Sequence, residues 1–182
     1  MRLTDRNLKK VGTIEIKSGS IVASDPCYDY GTWCAAEVKA KNGTYDVFIS
    51  KSNDDEDWGE LVDSICIKLQ GSEDSDLKRL VGMLGVDAGI CGFYDRDYYV
   101  DTHKDDKNED GEWYDREVID HASDWYHILR DDNKNSVGVW SRSGYGDGGY
   151  SLYGAQEDGE YYCLLIDFLG EDENVAANSV EE

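Results

Sequence analysis

The sequence predicts an α+β domain, mostly antiparallel β-sheet in a sandwich-like arrangement, with one clear amphipathic helix near 118–130. Three observations carry this. Short runs rich in Val, Ile, Tyr and Thr alternate with turn signals along the chain, the pattern of half-buried strands. A single proline and 19 glycines assign the turns to Gly, Asn and Asp. The segment Val118 to Arg130 places Val118, Ile119, Ala122, Trp125, Tyr126 and Leu129 at helical spacing. With 182 residues, 40% of them hydrophobic, the chain is long enough for one proper core. The expected organisation is a flexible N-terminus over 1–11, a single globular domain over 12–170 and an acidic, disordered tail over 171–182.

The elements follow in order. Gly12 to Lys17 alternates as a half-buried strand and turns at Lys17-Ser18-Gly19-Ser20. Ile21 to Ala23 begins a strand that stops at Asp25-Pro26, because proline cannot donate to a ladder. Trp33 to Ala40 and Gly43 to Ser50 read as a hairpin around Asn42-Gly43. Trp58 to Leu69 fits helix or strand, and its β-branched end favours strand. Leu77 to Leu84 is short and ambiguous, whereas Val86 to Phe93 reads as a glycine-punctuated core strand. After the helix come strands at Val137 to Ser141, Tyr150 to Tyr153 and Tyr161 to Phe168.

Charge restricts function. Forty Asp and Glu against 18 Lys and Arg give a net charge of −22. Phosphate contacts need Lys and Arg, so direct nucleic-acid binding is not expected, and anionic membranes are disfavoured for the same reason. Solubility, cation binding and occupation of a basic partner protein remain. The N-terminus lacks the apolar core of a signal peptide, and no run reaches the length of a membrane-spanning helix. Five cysteines, an odd number without C-x-x-C spacing, point to a reducing, cytoplasmic setting. Neither they nor His103, His121 and His127 form a zinc-finger pattern.

The best-matched motif is Asp106–Glu117. It satisfies the calcium-loop pattern D-x-[DN]-x-[DN]-G-x5-E. Asp106, Asn108 and Asp110 supply side-chain oxygens, Gly111 the sharp turn, Glu112 its carbonyl and Glu117 the bidentate carboxylate. One Ca2+ is the implied ion, with Mg2+ or Mn2+ as lesser choices. The preceding Asp95-Arg96-Asp97-Tyr98-Tyr99 is unlike an EF-hand entering helix, and no second hand is present. The competing reading is a solvated acidic turn whose side chains bond their own backbone.

Three further clusters stand out: Ser24-Asp25-Pro26-Cys27-Tyr28, Gly85-Val86-Asp87-Ala88-Gly89, and Ser143-Gly144-Tyr145-Gly146-Asp147-Gly148-Gly149-Tyr150. Together they define a candidate ligand site of Asp25, Tyr28, Asp87, Tyr145 and Asp147, acidic with aromatic walls. Turn chemistry explains each cluster equally well. Their order resembles that of an uncharacterised family of bacterial and bacteriophage proteins, known only as a domain of unknown function, over about residues 12–170. The resemblance implies a compact β-rich domain and brings no activity or catalytic residue.

No Cys–His pair is fixed by spacing, so catalysis has no assigned residue. The expected function is therefore a soluble acidic binding protein, for a small ligand or a basic protein, holding one Ca2+ through the loop. The alternatives are a metal-dependent hydrolase using Asp25, Asp87 and Asp147, and a phage or host-defence protein whose acidic surface imitates nucleic acid.

Overall fold

Alternation in the strands sorts the apolar side chains to two faces, and the chain stacks two sheets to bury them. A computed structural model describes residues 3, 6–55, 59–73, 77, 79–103 and 112–170. Eleven strands form two antiparallel sheets among the described residues. They are β1 (Lys9–Ile16), β2 (Ser20–Ser24), β3 (Ala36–Lys39), β4 (Gly43–Asp55), β5 (Gly59–Leu69), β6 (Arg79–Val86), β7 (Ile90–Asp95), β8 (Tyr126–Arg130), β9 (Ser136–Arg142), β10 (Gly148–Glu157) and β11 (Glu160–Asp167). One sheet runs β1-β4-β5-β11-β10-β6 and the other β3-β2-β7-β9-β8. Two short helices, α1 (Arg96–Thr102) and α2 (Glu112–Glu117), and a 3-10 turn, Ile119–His121, complete the described elements. The mostly antiparallel, sandwich-like class is as the sequence predicts.

The main core lies between the sheets. Tyr45, Val47 and Ile49 of β4, Leu164 and Ile166 of β11, Ile21 and Ala23 of β2, and Cys91 and Phe93 of β7 all face it. Alternate residues face outward into two smaller clusters. Cys66, Cys163 and Leu165 join Leu77 on one outer face. Val22, Tyr94, Leu129 and Trp140 lie on the other, under Tyr99 of α1 and Trp113 of α2.

The predicted helix over 118–130 is corrected. Its residues form the 3-10 turn, a series of tight turns through Asp124, and strand β8. Tyr126, His127, Ile128 and Leu129 pair with Ser141, Trp140, Val139 and Gly138 of β9. About three apolar turns support the helical reading, whereas pairing satisfies a whole edge of β9. Leu129 and Val118 still face one cluster, so apolar spacing alone cannot separate the two outcomes.

The Asn42-Gly43 hairpin is also corrected. β3 pairs with β2, and β4 pairs with β1 and β5. The turn carries the chain from one sheet to the other, and the Asn42 side chain accepts a bond from the Gly19 N–H at 2.8 Å. The Val86–Phe93 strand breaks at Asp87-Ala88-Gly89, where Gly89 takes φ +66°, so β6 and β7 fall in different sheets. Asp158-Gly159 forms a tight hairpin between β10 and β11, both residues at positive φ.

Within the segment 1–11 expected to be flexible, Leu3 and Arg6 to Val11 are among the described residues. β1 begins at Lys9, and the Arg6 guanidinium is buried against Asp63 at 3.0 Å and Asp167 at 2.9 Å. Leu3 and Leu8 pack on the adjacent outer cluster. The 171–182 tail lies outside the described residues. Asp63 and Asp167 are only 7% and 2% exposed in their side chains, so removing the cation leaves two buried carboxylates uncompensated. Arg6→Ala is expected to lower the unfolding free energy by about 3–5 kcal/mol, read from urea denaturation. A loss below about 1 kcal/mol would show that water compensates them.

Candidate functional site

The three motif clusters do meet, at one end of the sandwich. Asp25 follows β2, Asp87 to Gly89 link β6 to β7, and Ser143 to Asp147 link β9 to β10. Their contacts run mostly to one another's backbone. One Asp25 oxygen accepts from the Cys27 N–H at 2.8 Å, and the other from the N–H groups of Asp87 at 2.9 Å and Ala88 at 2.7 Å. Asp25 is fully buried, so this carboxylate is a knot between two loops. The Ser143 N–H donates to the Gly89 carbonyl at 3.1 Å. The Tyr150 hydroxyl bridges the carbonyls of Ser143 and Gly146. The phenol of Tyr28 meets the Asp87 carboxylate, and burial first, then this contact, push its pKa up.

Asp147 and Tyr145 are exposed at the same end. Tyr145 borders a cleft of about 330 Å3 with Trp125, Arg142 and the backbone of Gly89, Gly144 and Gly146. The Lys51 ammonium and the Arg142 guanidinium both lie over the Trp125 ring, at 3.8 Å and 5.1 Å from its centroid. Cys27 is exposed, yet desolvation and the Asp25 carboxylate push its thiol up, so it is held as the thiol and not as a nucleophilic thiolate.

Of the calcium loop, Asp106, Asn108, Asp110 and Gly111 lie outside the described residues. Glu112 and Glu117 stand at the two ends of α2. The Glu117 carboxylate accepts from Arg116 Nε at 2.7 Å and His127 Nε2 at 3.0 Å. These bonds, the His127 one foremost, hold its pKa below the ordinary glutamate value.

A larger cleft of about 560 Å3 lies near the start of α1, flanked by α2 and the β8–β9 turn. Seven carboxylates line it, Glu15, Asp95, Asp97, Asp101, Glu112, Asp131 and Asp132, against the three cations Lys17, Arg116 and Arg130. Tyr98 and Trp113 form an apolar wall, joined by the indole N–H of Trp113 donating to the Tyr98 hydroxyl at 3.1 Å. Asp95 shapes this cleft much as Asp25 shapes the other end. It caps α1 through the Asp97 N–H and takes the N–H groups of Lys17 and Ser18 at 2.7 and 2.9 Å. Asp131 closes the β8–β9 turn by accepting from Asn133 and Asn135.

A third feature escaped the sequence reading. His121, Asp124 and His127 each bring one ligand atom within 4.8 Å of the others, a trio of metal-ligating side-chain types drawn together among the described residues. The signal in the sequence is H-x2-D-x2-H, which a helical reading of 118–130 sets on a solvated face. Asp25, Asp87 and Asp147 form no such trio.

Compared with protein-family models, curated proteins and solved structures, the chain matches none. The resemblance in motif order therefore rests on the motifs themselves.

Two outcomes follow. Asp25→Ala leaves three N–H groups without their acceptor and is expected to cost about 3 kcal/mol or more of stability. Asp147→Ala, at an exposed position, is expected to cost less than about 0.5 kcal/mol. Equal losses on urea denaturation would contradict the knot. The second concerns His103, buried at the end of α1, stacked on Tyr99 with centroids 3.8 Å apart, Nε2 facing the Pro26 carbonyl at 3.0 Å. Burial lowers its pKa below the ordinary histidine value of 6.5. The unfolded chain then binds the extra proton, so this contribution is intact above pH 6.5 and falls as pH drops towards the depressed folded value. The melting-temperature difference between wild type and His103→Gln is expected to be more favourable to wild type at pH 8 than at pH 5. A pH-independent difference would refute it.

Proposed function

We propose that this chain is a binding protein that receives a cationic group, the side chain of a basic partner protein, in the acidic cleft near α1. The carrying observation is the lining: seven carboxylates against three cations, beside an aromatic wall, in a cleft of about 560 Å3. That volume is in the range of ligand sites. An ammonium or guanidinium entering it gains charge complementarity at the rim and apolar contact for its methylene stem along Tyr98 and Trp113. The net charge of −22 draws such a partner from a distance at low salt. Phosphate-bearing ligands meet the opposite field.

The calcium reading belongs to the same region, because Glu112 is at once a member of the loop motif and part of the cleft lining. It rests on sequence spacing. Ca2+ then acts as a competitor for the same negative field, or as an ion that shapes the rim.

The test is calorimetric titration with a hexa-arginine peptide, and separately with Ca2+. The peptide is expected to bind with an affinity that falls steeply as salt rises. Glu112→Gln combined with Asp132→Asn is expected to weaken it by about fivefold or more, equivalent to roughly 1 kcal/mol. Asp158→Asn combined with Glu160→Gln, at the β10–β11 hairpin and outside the cleft lining, serves as the charge-matched control. Equal weakening by control and cleft variants would replace a site with general charge attraction. A Ca2+ heat that disappears in Asp106→Ala and Glu117→Ala supports the loop; absence of heat at millimolar Ca2+ removes it.

A further inference from the structure

We infer that His121, Asp124 and His127 bind one divalent transition ion of the zinc class, with Glu117 orienting His127. The site is separate from the acidic cleft and shares no lining residue with it. Three arguments carry the assignment.

The first is donor chemistry. Two imidazoles and a carboxylate suit Zn2+ and its neighbours, whereas Ca2+ and Mg2+ prefer oxygen alone. The three ligand atoms lie within 4.8 Å of one another. Around a tetrahedral zinc with bonds of about 2.1 Å they would be roughly 3.4 Å apart. Closing that gap takes side-chain rotation. The His121 and His127 rings stack with centroids 3.6 Å apart. An imidazole lone pair lies in the ring plane, so two stacked rings do not aim at one ion. Uptake turns the His121 ring, whose side chain is the more exposed, 36% against 18% for His127.

The second is the support beneath these side chains. The 121–125 segment is pinned by Arg142, which donates to the carbonyls of Ala122 at 2.9 Å and Asp124 at 3.1 Å. The Asp124 N–H donates to the His121 carbonyl at 2.9 Å, closing the turn that carries both. His127 is fixed by β8 pairing opposite Trp140. The backbone positions are thus set before any ion arrives, which lowers the ordering cost of binding.

The third is Glu117. It accepts from His127 Nε2 at 3.0 Å and is itself held by Arg116. A neutral imidazole has one N–H, so donation to Glu117 leaves the other ring nitrogen with its lone pair, the usual carboxylate–histidine–metal arrangement. Trp140 Nε1 donates to the Glu117 carbonyl at 3.0 Å and fixes the end of α2. An ion here cross-links the 3-10 turn to β8 and steadies α2 through Glu117. Three protein ligands leave further coordination positions to water.

The experiment is calorimetric titration of the full chain, prepared without a histidine tag, with Zn2+. Melting curves with and without metal and the visible absorption of Co2+ as a geometric probe accompany it. Wild type is expected to take up one equivalent at micromolar affinity, melt higher with Zn2+, and give an intense tetrahedral Co2+ spectrum. His121→Ala, on an exposed turn, and His127→Gln are expected to weaken uptake by at least about tenfold, with the metal-dependent melting shift lost. Cys27→Ser is expected to bind as wild type does. No uptake below millimolar zinc, unchanged uptake in His121→Ala, or loss of uptake in Cys27→Ser would each overturn the assignment.

Discussion

A buried carboxylate that accepts several backbone N–H groups holds each end of this sandwich. Asp25 does so where β2 ends, taking N–H groups from Cys27, Asp87 and Ala88. Asp95 does so where β7 ends, serving Lys17, Ser18 and the first turn of α1. Turns that cross from one sheet to the other cannot satisfy their backbone in a ladder. Left unpaired under the surface, each N–H would cost on the order of 1–3 kcal/mol. A carboxylate solves this for two segments at once, because one oxygen accepts from each. The strand order depends on it: β6 and β7 separate into different sheets across a turn that Asp25 grips.

This constraint also governs how acidic residues divide between structure and recognition. In a chain so rich in Asp and Glu, identity alone does not mark a binding site. The carboxylates of Asp25, Asp95 and Asp131 are engaged by backbone N–H groups, and those of Asp63 and Asp167 by Arg6. Glu112 and Asp132 border an open cleft, which Asp95 and Asp131 also line while serving backbone N–H groups. The same distinction separates Glu117, clasped by Arg116 and His127, from Glu112 at the other end of the same short helix. Helix α2 thus stands between two polar features that the sequence presents as one motif.

Much of the fold is legible from alternation. Thr44 to Ile49, Ile65 to Leu69 and Tyr161 to Asp167 show the residue types of strands, and they lie in β4, β5 and β11. Pairing is less legible. Asn42-Gly43 carries a strong hairpin signal, yet β1 and β5 occupy both edges of β4, leaving β3 to the other sheet. The 118–130 segment misleads for a related reason: apolar residues three and four apart also result when a turn and a short strand bury successive side chains on one cluster. Only the open edge of β9, invisible locally, decides between them. The misreading hid the histidine cluster, since His121 and His127 stack only because the chain turns at 122–125.

Local chemistry, which needs no partner, was determined by the sequence itself: the β-rich class, the excess of negative charge, the strand end at Asp25-Pro26 and the glycine-rich connection at Gly144 to Gly149. The tertiary structure decided what each acidic group faces. It joined Asp25 to Asp87 across 62 positions and Arg6 to Asp167 across 161, and it set His127 against Glu117. Such meetings depend on which strand edges pair and which faces stack. Those choices minimise unpaired backbone and exposed apolar surface over the whole chain at once, so no short window of residues contains them.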